Sequence, residues 1–341
     1  MGSLNLPPEL KLSIAENLDP ISSFNFAITC KEHWKLCDPI NRRHARLFAE
    51  NRTIDTADAG RLLWDKLKEI LDDHRVGWYL RDLSLPSNRQ TYWDESVGHD
   101  FQLTGQTLKP PEEDLIRYYR AVEDVEERYG TEMLTKLYWK GKWEAGLGNG
   151  AEEPIINILV HHLPHLKVFR VTDAEISTSF YGLMRFIAEG YCEPALAPNL
   201  PFQHLNTVAI AHHDSEMSVD AEWCHFFCSI PTVQNFVAHA MGGEMLFDFR
   251  ERIPRSNVRE LVFQYCRFDA GALESILMNT PKLERFSYDI AGATVSEEVY
   301  STWPKKVLQS LVENVSDSLE HLVFEADDAG DDFDNEVRYT Y

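Results

Sequence analysis

The chain has 341 residues, 44% hydrophobic and 11% aromatic, which is ample for a packed core and argues against wholesale disorder. Its 55 acidic and 33 basic residues leave a formal charge of −22, a surface that repels phosphate backbones, so nucleic acid is not an expected partner. Six cysteines without disulfide-framework spacing fit free thiols in a reducing cytoplasm or nucleus. No signal peptide opens the chain, and the longest aliphatic run (residues 155–160) falls far below the ~20 residues of a membrane span, so no membrane association is expected.

In chain order, residues 6–37 read as a short helical module. Pro7 and Pro8 suit a first helical turn, where a missing amide hydrogen is no loss. Leu10, Ile14 and Leu18 recur every four residues along one helix stripe, and Asp19-Pro20 ends that helix. Ser22 or Ser23 can cap a second helix carrying Phe24, Ala27 and Ile28. A third short turn runs over residues 30–36 before Asp38-Pro39 breaks it. Three or four helices of this size carry more apolar surface than they can bury among themselves, which points to a docking surface for another protein.

The same residues carry a family resemblance. Leu6-Pro7-Pro8-Glu9-Leu10 resembles the opening motif of an F-box, Ile14 and Leu18 its first-helix positions, and Thr29-Cys30-Lys31 its closing motif. The family often has a tryptophan three residues after that cysteine; here His33 holds the place and Trp34 follows. The resemblance implies that residues 1–50 form an F-box-like helical module docking on a Skp-type linker of a cullin ubiquitin ligase. Leu6, Pro7, Glu9, Leu10, Ile14 and Leu18 would be contacts, and Phe24, Ile28 and Trp34 either contacts or internal core.

Residues 51–150 read as a helical linker region with a long loop. Leu62, Leu63, Leu67, Ile70 and Leu71 make one amphipathic stripe, and Leu115, Tyr118, Val122 and Val125 another after Pro110-Pro111. The polar, turn-rich residues 87–111 form the expected exposed loop, which either touches cargo or is simply mobile.

From residue 151 to 324 a strand template recurs, apolar at positions 0, 3 and 5. Leu166-Phe169-Val171, Leu205-Val208-Ile210, Val258-Leu261-Phe263, Leu283-Phe286-Tyr288 and Leu319-Leu322-Phe324 match it, and Val233-Phe236-Ala238 matches with a small last residue. Leu80-Leu83-Leu85 is an earlier, isolated copy. Starts from Leu166 onward are 39, 28, 25, 25 and 36 residues apart, the shorter intervals being in the range of leucine-rich repeats. Pro164, Pro231 and Pro281 each stand two residues ahead of a copy, where proline ends a helix and enforces extended backbone. Helical stretches at 180–189, 221–230, 271–279 and 305–315 lie between copies.

The expected architecture is therefore α/β: a small N-terminal all-α F-box-like module followed by an irregular leucine-rich-repeat-like solenoid of parallel strands and outer helices. It resembles the repeats that follow an F-box in fungal-type members, although the asparagine ladder is missing. The competing expectation is a non-repetitive α/β domain. In the solenoid, Arg170, Thr172, Gln264, Ser287, Asp289 and Glu325 would face one concave wall, the candidate surface for an unknown protein substrate.

Catalytic and metal signals are weak. Gly146-Leu147-Gly148-Asn149-Gly150 lacks a following Gly-Lys-Ser/Thr and reads as a flexible linker. Cys224-His225-Phe226-Phe227-Cys228, with His212-His213-Asp214 upstream, lacks the usual Cys-x-x-Cys spacing of zinc sites and reads as buried structure. His161, His162 and His165 read as helix-end caps whose imidazolium complements the dipole. Residues 325–341 form an acidic tail without the spaced ligands of a calcium loop. No enzyme activity, cofactor or metal is expected. The function that follows is a substrate-recognition adaptor of a cullin ubiquitin ligase; the alternative is a repeat scaffold with no ligase role.

Overall fold

The computed structural model of the chain describes residues 6–56, 62–86, 91–93, 100–102, 110–129, 139–172, 178–212, 218–243, 256–290 and 303–326. Helix α1 (Pro8–Asn17) starts after Pro7, placing Pro8 in the first turn. Helix α2 (Pro20–Ala27) is capped by Asp19, whose carboxylate accepts the amides of Ile21 and Ser22 at 2.9 and 3.1 Å. The cap is thus Asp19 and not Ser22 or Ser23, because Pro20 fills the first helical position and sets the start earlier.

A larger correction concerns α3 (Lys31–Asn51), which runs 21 residues straight through Pro39. Proline removes one amide and crowds the preceding turn. Here the helix is held on both sides of it by an inner face that buries Cys37, Ile40, His44 and Asn51, while Asp38 and Arg42 pair one turn apart at 2.9 Å. α3 is therefore the stem joining module to body.

The body is organised by an eight-stranded, all-parallel sheet: β1 (Thr53–Asp55), β2 (Asp82–Leu85), β5 (Val168–Thr172), β6 (Thr207–Ala211), β8 (Asn235–His239), β10 (Glu260–Gln264), β12 (Arg285–Ile290) and β13 (His321–Ala326). Spatial order follows chain order. β3 (Thr91–Trp93) and β4 (Asp100–Gln102) form a separate antiparallel pair inside the stretch expected to be a loop. The first two strands of the main sheet lie within the stretch read as a helical linker, and the Leu80-Leu83-Leu85 copy is not isolated, since β2 pairs directly with β5. The long intervening sequence hid that adjacency.

The strand template aligns in register. Leu83, Phe169, Val208, Phe236, Leu261, Phe286 and Leu322 form one cross-sheet row, and Leu85, Val171, Ile210, Ala238, Phe263, Tyr288 and Phe324 the next. One residue after six of the seven template starts, a single carbonyl accepts two amides of the next strand: Arg81, Lys167, Asn206, Gln234, Arg259 and Glu284 all do so. Pro164, Pro231 and Pro281 occupy the second place of tight turns closed by the Leu166, Val233 and Leu283 amides, so proline here shapes a turn as well as ending a helix.

A second parallel ladder, β7 (Val219–Asp220), β9 (Met241–Gly243) and β11 (Arg267–Phe268), lies beside the first. The backbone turns from β8 into β9 at Ala240 and from β10 toward β11 at Tyr265, each in a left-handed conformation with φ near +50°. Helices α8 (Thr178–Gly190), α9 (Glu222–Cys228), α10 (Ala270–Asn279) and α11 (Trp303–Val315) then return the chain, closing a strand–turn–helix unit.

Upstream, α4 (Leu62–Asp72), α5 (Glu112–Tyr129), α6 (Trp139–Asn149) and α7 (Glu153–Leu159) bury their apolar stripes in the same large core. The glycine run is not a linker. Gly146, Leu147 and Gly148 lie inside α6, and Gly150, at φ +83°, terminates it: its amide bonds the Leu147 carbonyl at 3.1 Å and the Ala151 amide the Gly146 carbonyl at 2.9 Å. A Cβ on Gly146 would meet Pro154 Cγ at 2.8 Å, so this glycine permits a close helix–helix approach.

Candidate interaction surfaces

The module has its own small core of Ala15, Ala27, Cys37 and Ile40, with Leu12 and Phe26 packed alongside. That cluster is separate from the large one. Two of its four members are alanines, so little apolar surface is consumed, and the larger hydrophobes point outward. Leu10 and Ile14 on α1, Ile21 and Phe24 on α2, Ile28 at its end and Trp34 on α3 are between 40% and 57% exposed. Phe24 and Trp34 meet edge to face at 6.3 Å, joining the α2 and α3 parts of the surface.

Of the expected contacts, Pro7 and Glu9 are exposed with Leu10 and Ile14, while Leu6 and Leu18 are half-buried. Leu18 is the extended residue that closes α1, so it is not on the helical stripe with the other two. Phe24, Ile28 and Trp34, open between core and contact in the sequence, all lie at the surface. Ile21 was missed. Its spacing of three and seven from Phe24 and Ile28, once Asp19-Pro20 is taken as the helix start, is the signal that finds it.

The module is fixed to the body through the stem. His44 Nδ1 and the Tyr79 hydroxyl are 2.6 Å apart in a buried contact, and burial, with the charges of Arg43 and Arg75, holds the His44 imidazole below its ordinary pKa. Phe48 lies under the guanidinium groups of Arg52 and Arg81, at 5.8 and 5.5 Å, and Lys66 donates to Asn51 Oδ1 at 2.8 Å. Where α1 ends over the body, a cleft of about 300 Å³ is lined by Asn17, Asp72, Asp73, His74, Arg75 and Trp78. Its central charges are already satisfied: Asp73 binds Arg75 through both oxygens at 2.7 and 2.6 Å.

The second surface is the solvent-facing side of the main sheet. Strand alternation places Arg170, Thr172, Gln264, Ser287, Asp289 and Glu325 there, opposite the buried rows; Arg170, Gln264 and Glu325 are exposed and the other three half-buried. Arg170 is held by Asp82 on the neighbouring strand, Arg259 by Glu284, and Arg285 by Glu260 at 3.0 Å. Between these charged borders runs Ala209, Val237 and Val262, in register and half-buried. Sequence reading did not single out this uncharged strip, although the template's position 4 marks it.

The metal and histidine readings change with burial. Cys224 and Cys228 lie with sulfurs 3.7 Å apart on α9, fully enclosed, and burial raises the Cys224 thiol well above its ordinary value. His213 and Asp214 lie outside the described residues, as do residues 327–341 of the acidic tail; Glu325 and Ala326 finish β13. Among the described residues no group of three or more His, Cys, Asp or Glu is arranged to hold a metal ion. His161 and His162 are not cationic caps: burial lowers them to about 3 and about 4, and His161 Nδ1 bonds the Asn157 carbonyl at 2.7 Å. His165 is likewise lowered, chiefly by burial. An enclosed imidazolium is too poorly solvated for the helix dipole to maintain.

A scan against protein-family models matches none, and a search of curated proteins returns no match. No helix among the described residues is long and apolar enough to cross a membrane. The class the fold defines is an α/β protein with an eight-stranded parallel sheet, a second short parallel ladder beside it, outer helices and a small helical module on a helical stem.

Proposed function

We propose that this chain is a substrate-recruiting adaptor of a cullin-type ubiquitin ligase. The N-terminal helices dock on a Skp-type linker as an F-box does, and the outer face of the repeat sheet presents a protein substrate. The observation that carries the reading is the outward placement of Leu10, Ile14, Ile21, Phe24, Ile28 and Trp34 on a module whose own core is two alanines, a cysteine and an isoleucine. Such a concentration of exposed large hydrophobes on three adjoining helices marks an interaction site. The adaptor contributes proximity and orientation, with transfer chemistry on other subunits. Arg170, Thr172, Gln264, Ser287, Asp289 and Glu325, with the Ala209–Val237–Val262 strip between the charged borders, form the substrate face.

The test is binding of a purified Skp-type linker to the full chain and to a Leu10→Asp, Ile14→Asp variant. Both side chains are already solvent-exposed, so the variant is expected to keep its circular dichroism and melting midpoint while losing affinity by about 100-fold or more. Equal affinity for both proteins refutes the assigned face. No binding by either leaves the repeat body as a scaffold without a ligase role.

A further inference from the structure

We infer that β13 is a self-association edge through which two copies of this chain pair antiparallel, extending the sheet across a two-fold axis. The inference stands apart from the ligase reading and rests on how the two ends of the sheet differ. At one end β1 has only three residues, and two of them, Thr53 and Asp55, are exposed, polar or charged side chains. A short, polar edge resists pairing with another chain. At the other end β13 is six residues long, His-Leu-Val-Phe-Glu-Ala, without proline, glycine or lysine. Among the described residues it pairs on one side only, with β12. Its register with β12 is unbroken, and it carries neither the proline nor the lysine that commonly blunts an edge.

The apolar layer is also left open there. Template residues at interior strands are sealed, with Leu261, Phe263, Phe286 and Tyr288 at most 1% exposed. Their equivalents on β13, Leu322 and Phe324, are only partly buried, as is Leu319. Leu308 and Val312 on α11, one helical turn apart, are 37% and 67% exposed, and Val323 on the outer face of β13 is 42% exposed. Both layers of the last unit, strand and helix, thus end on uncovered hydrophobes.

A second copy fits this edge because the strand is self-complementary. The His321 amide is given to Glu284 on the β12 side, so alternation turns the backbone groups of Leu322 and Phe324 toward the free edge. Antiparallel pairing centred on Val323 sets Leu322 opposite Phe324 of the second copy, and these two exchange backbone hydrogen bonds while their side chains complete the inner layer. On the outer face Val323 meets its own equivalent, and His321 stands opposite the Glu325 carboxylate of the other chain, a donor facing an acceptor. Among the described residues no hydrogen bond or ion pair engages the Glu325 carboxylate. The same patch serves both copies, as a closed two-fold interface requires.

Sedimentation velocity on the full chain at micromolar concentrations is expected to give a species of twice the chain mass. Val323→Lys, which sets two ammonium groups face to face at an exposed position, is expected to weaken dimerisation at least about tenfold with the circular dichroism of the chain unchanged. His321→Glu and Glu325→Lys should each weaken it, and the double variant, which sets a carboxylate at 321 opposite an ammonium at 325 of the other copy, should recover it. That recovery is the readout a nonspecific apolar contact would not give. A wild-type chain that stays monomeric to about 100 µM, or a dimer indifferent to all four variants, overturns the inference. So does a chain that dimerises only after removal of residues 327–341, which would assign the edge to the chain's own tail.

Discussion

Tyr79 is 1% exposed and its hydroxyl meets His44 Nδ1 at 2.6 Å, so at the residue scale the stem depends on a buried polar contact between these two side chains. Tyr79→Phe leaves an imidazole nitrogen enclosed without that partner and is expected to lower unfolding free energy by about 1–3 kcal/mol in urea titrations. Three histidines away from the stem, His161 and His225 buried and His162 half-buried, set a pH dependence. His161, His162 and His225 have folded values lowered by burial to about 3, about 4 and about 4, against an ordinary 6.5. Above pH 6.5 both folded and unfolded chains hold these groups neutral, and nothing changes. As pH falls below 6.5 the unfolded chain takes up protons that the folded chain refuses, so stability falls, by up to about 1.4 kcal/mol per pH unit for each histidine. Urea midpoints measured from pH 8 to pH 5 should stay level down to about 6.5 and then decline; a midpoint that rises with acidity would contradict the burial of these side chains.

At the scale of elements, two helices are held at their starts by carboxylates in different ways. Asp19 caps α2 locally, and although burial opposes its ionisation, hydrogen bonds from Ser22 and Ile21 outweigh that and hold its carboxyl below the usual range. Glu153 caps α8 from a distance, accepting the Ser179 and Phe180 amides at 2.6 and 2.8 Å from 26 and 27 residues away. Glu153→Ala should therefore destabilise the body by about 1–3 kcal/mol, whereas Asp19→Ala should cost about 1 kcal/mol and act on the module. Hydrogen exchange separates the two, with faster exchange confined to α2 in the second case. The Pro39 passage through α3 follows the same logic: one absent hydrogen bond is a small loss against a 21-residue helix whose inner face is buried.

Across the whole molecule, the small and large hydrophobic clusters share no buried residue. A chain beginning at residue 31, without α1 and α2, is expected to retain the melting midpoint of the body while losing linker binding. A chain beginning at residue 52 also removes His44 and Phe48 from Tyr79 and Arg81, and is expected to melt lower and aggregate. If both truncations behave alike, the stem is not the structural joint that its contacts describe.

The periodicities in the sequence were sufficient for the strands and most helices, because template residues at 0, 3 and 5 must all turn inward wherever a strand is buried on that side. The same alternation made the outer-face residues Arg170, Gln264 and Ser287 legible without coordinates. Local chemistry failed at Pro39 and at Gly146 to Gly150, where neighbouring packing outweighed residue propensity, and at His161 and His162, whose charge is decided by enclosure. The adjacency of β2 to β5 and the openness of β13 were also beyond local pattern, since they depend on which segments meet in space. Composition and spacing determined that this chain folds as strands alternating with helices behind a hydrophobe-rich helical module; tertiary packing alone decided which of those hydrophobes were buried and which were left exposed, because burial is a property of neighbours and not of the residue itself.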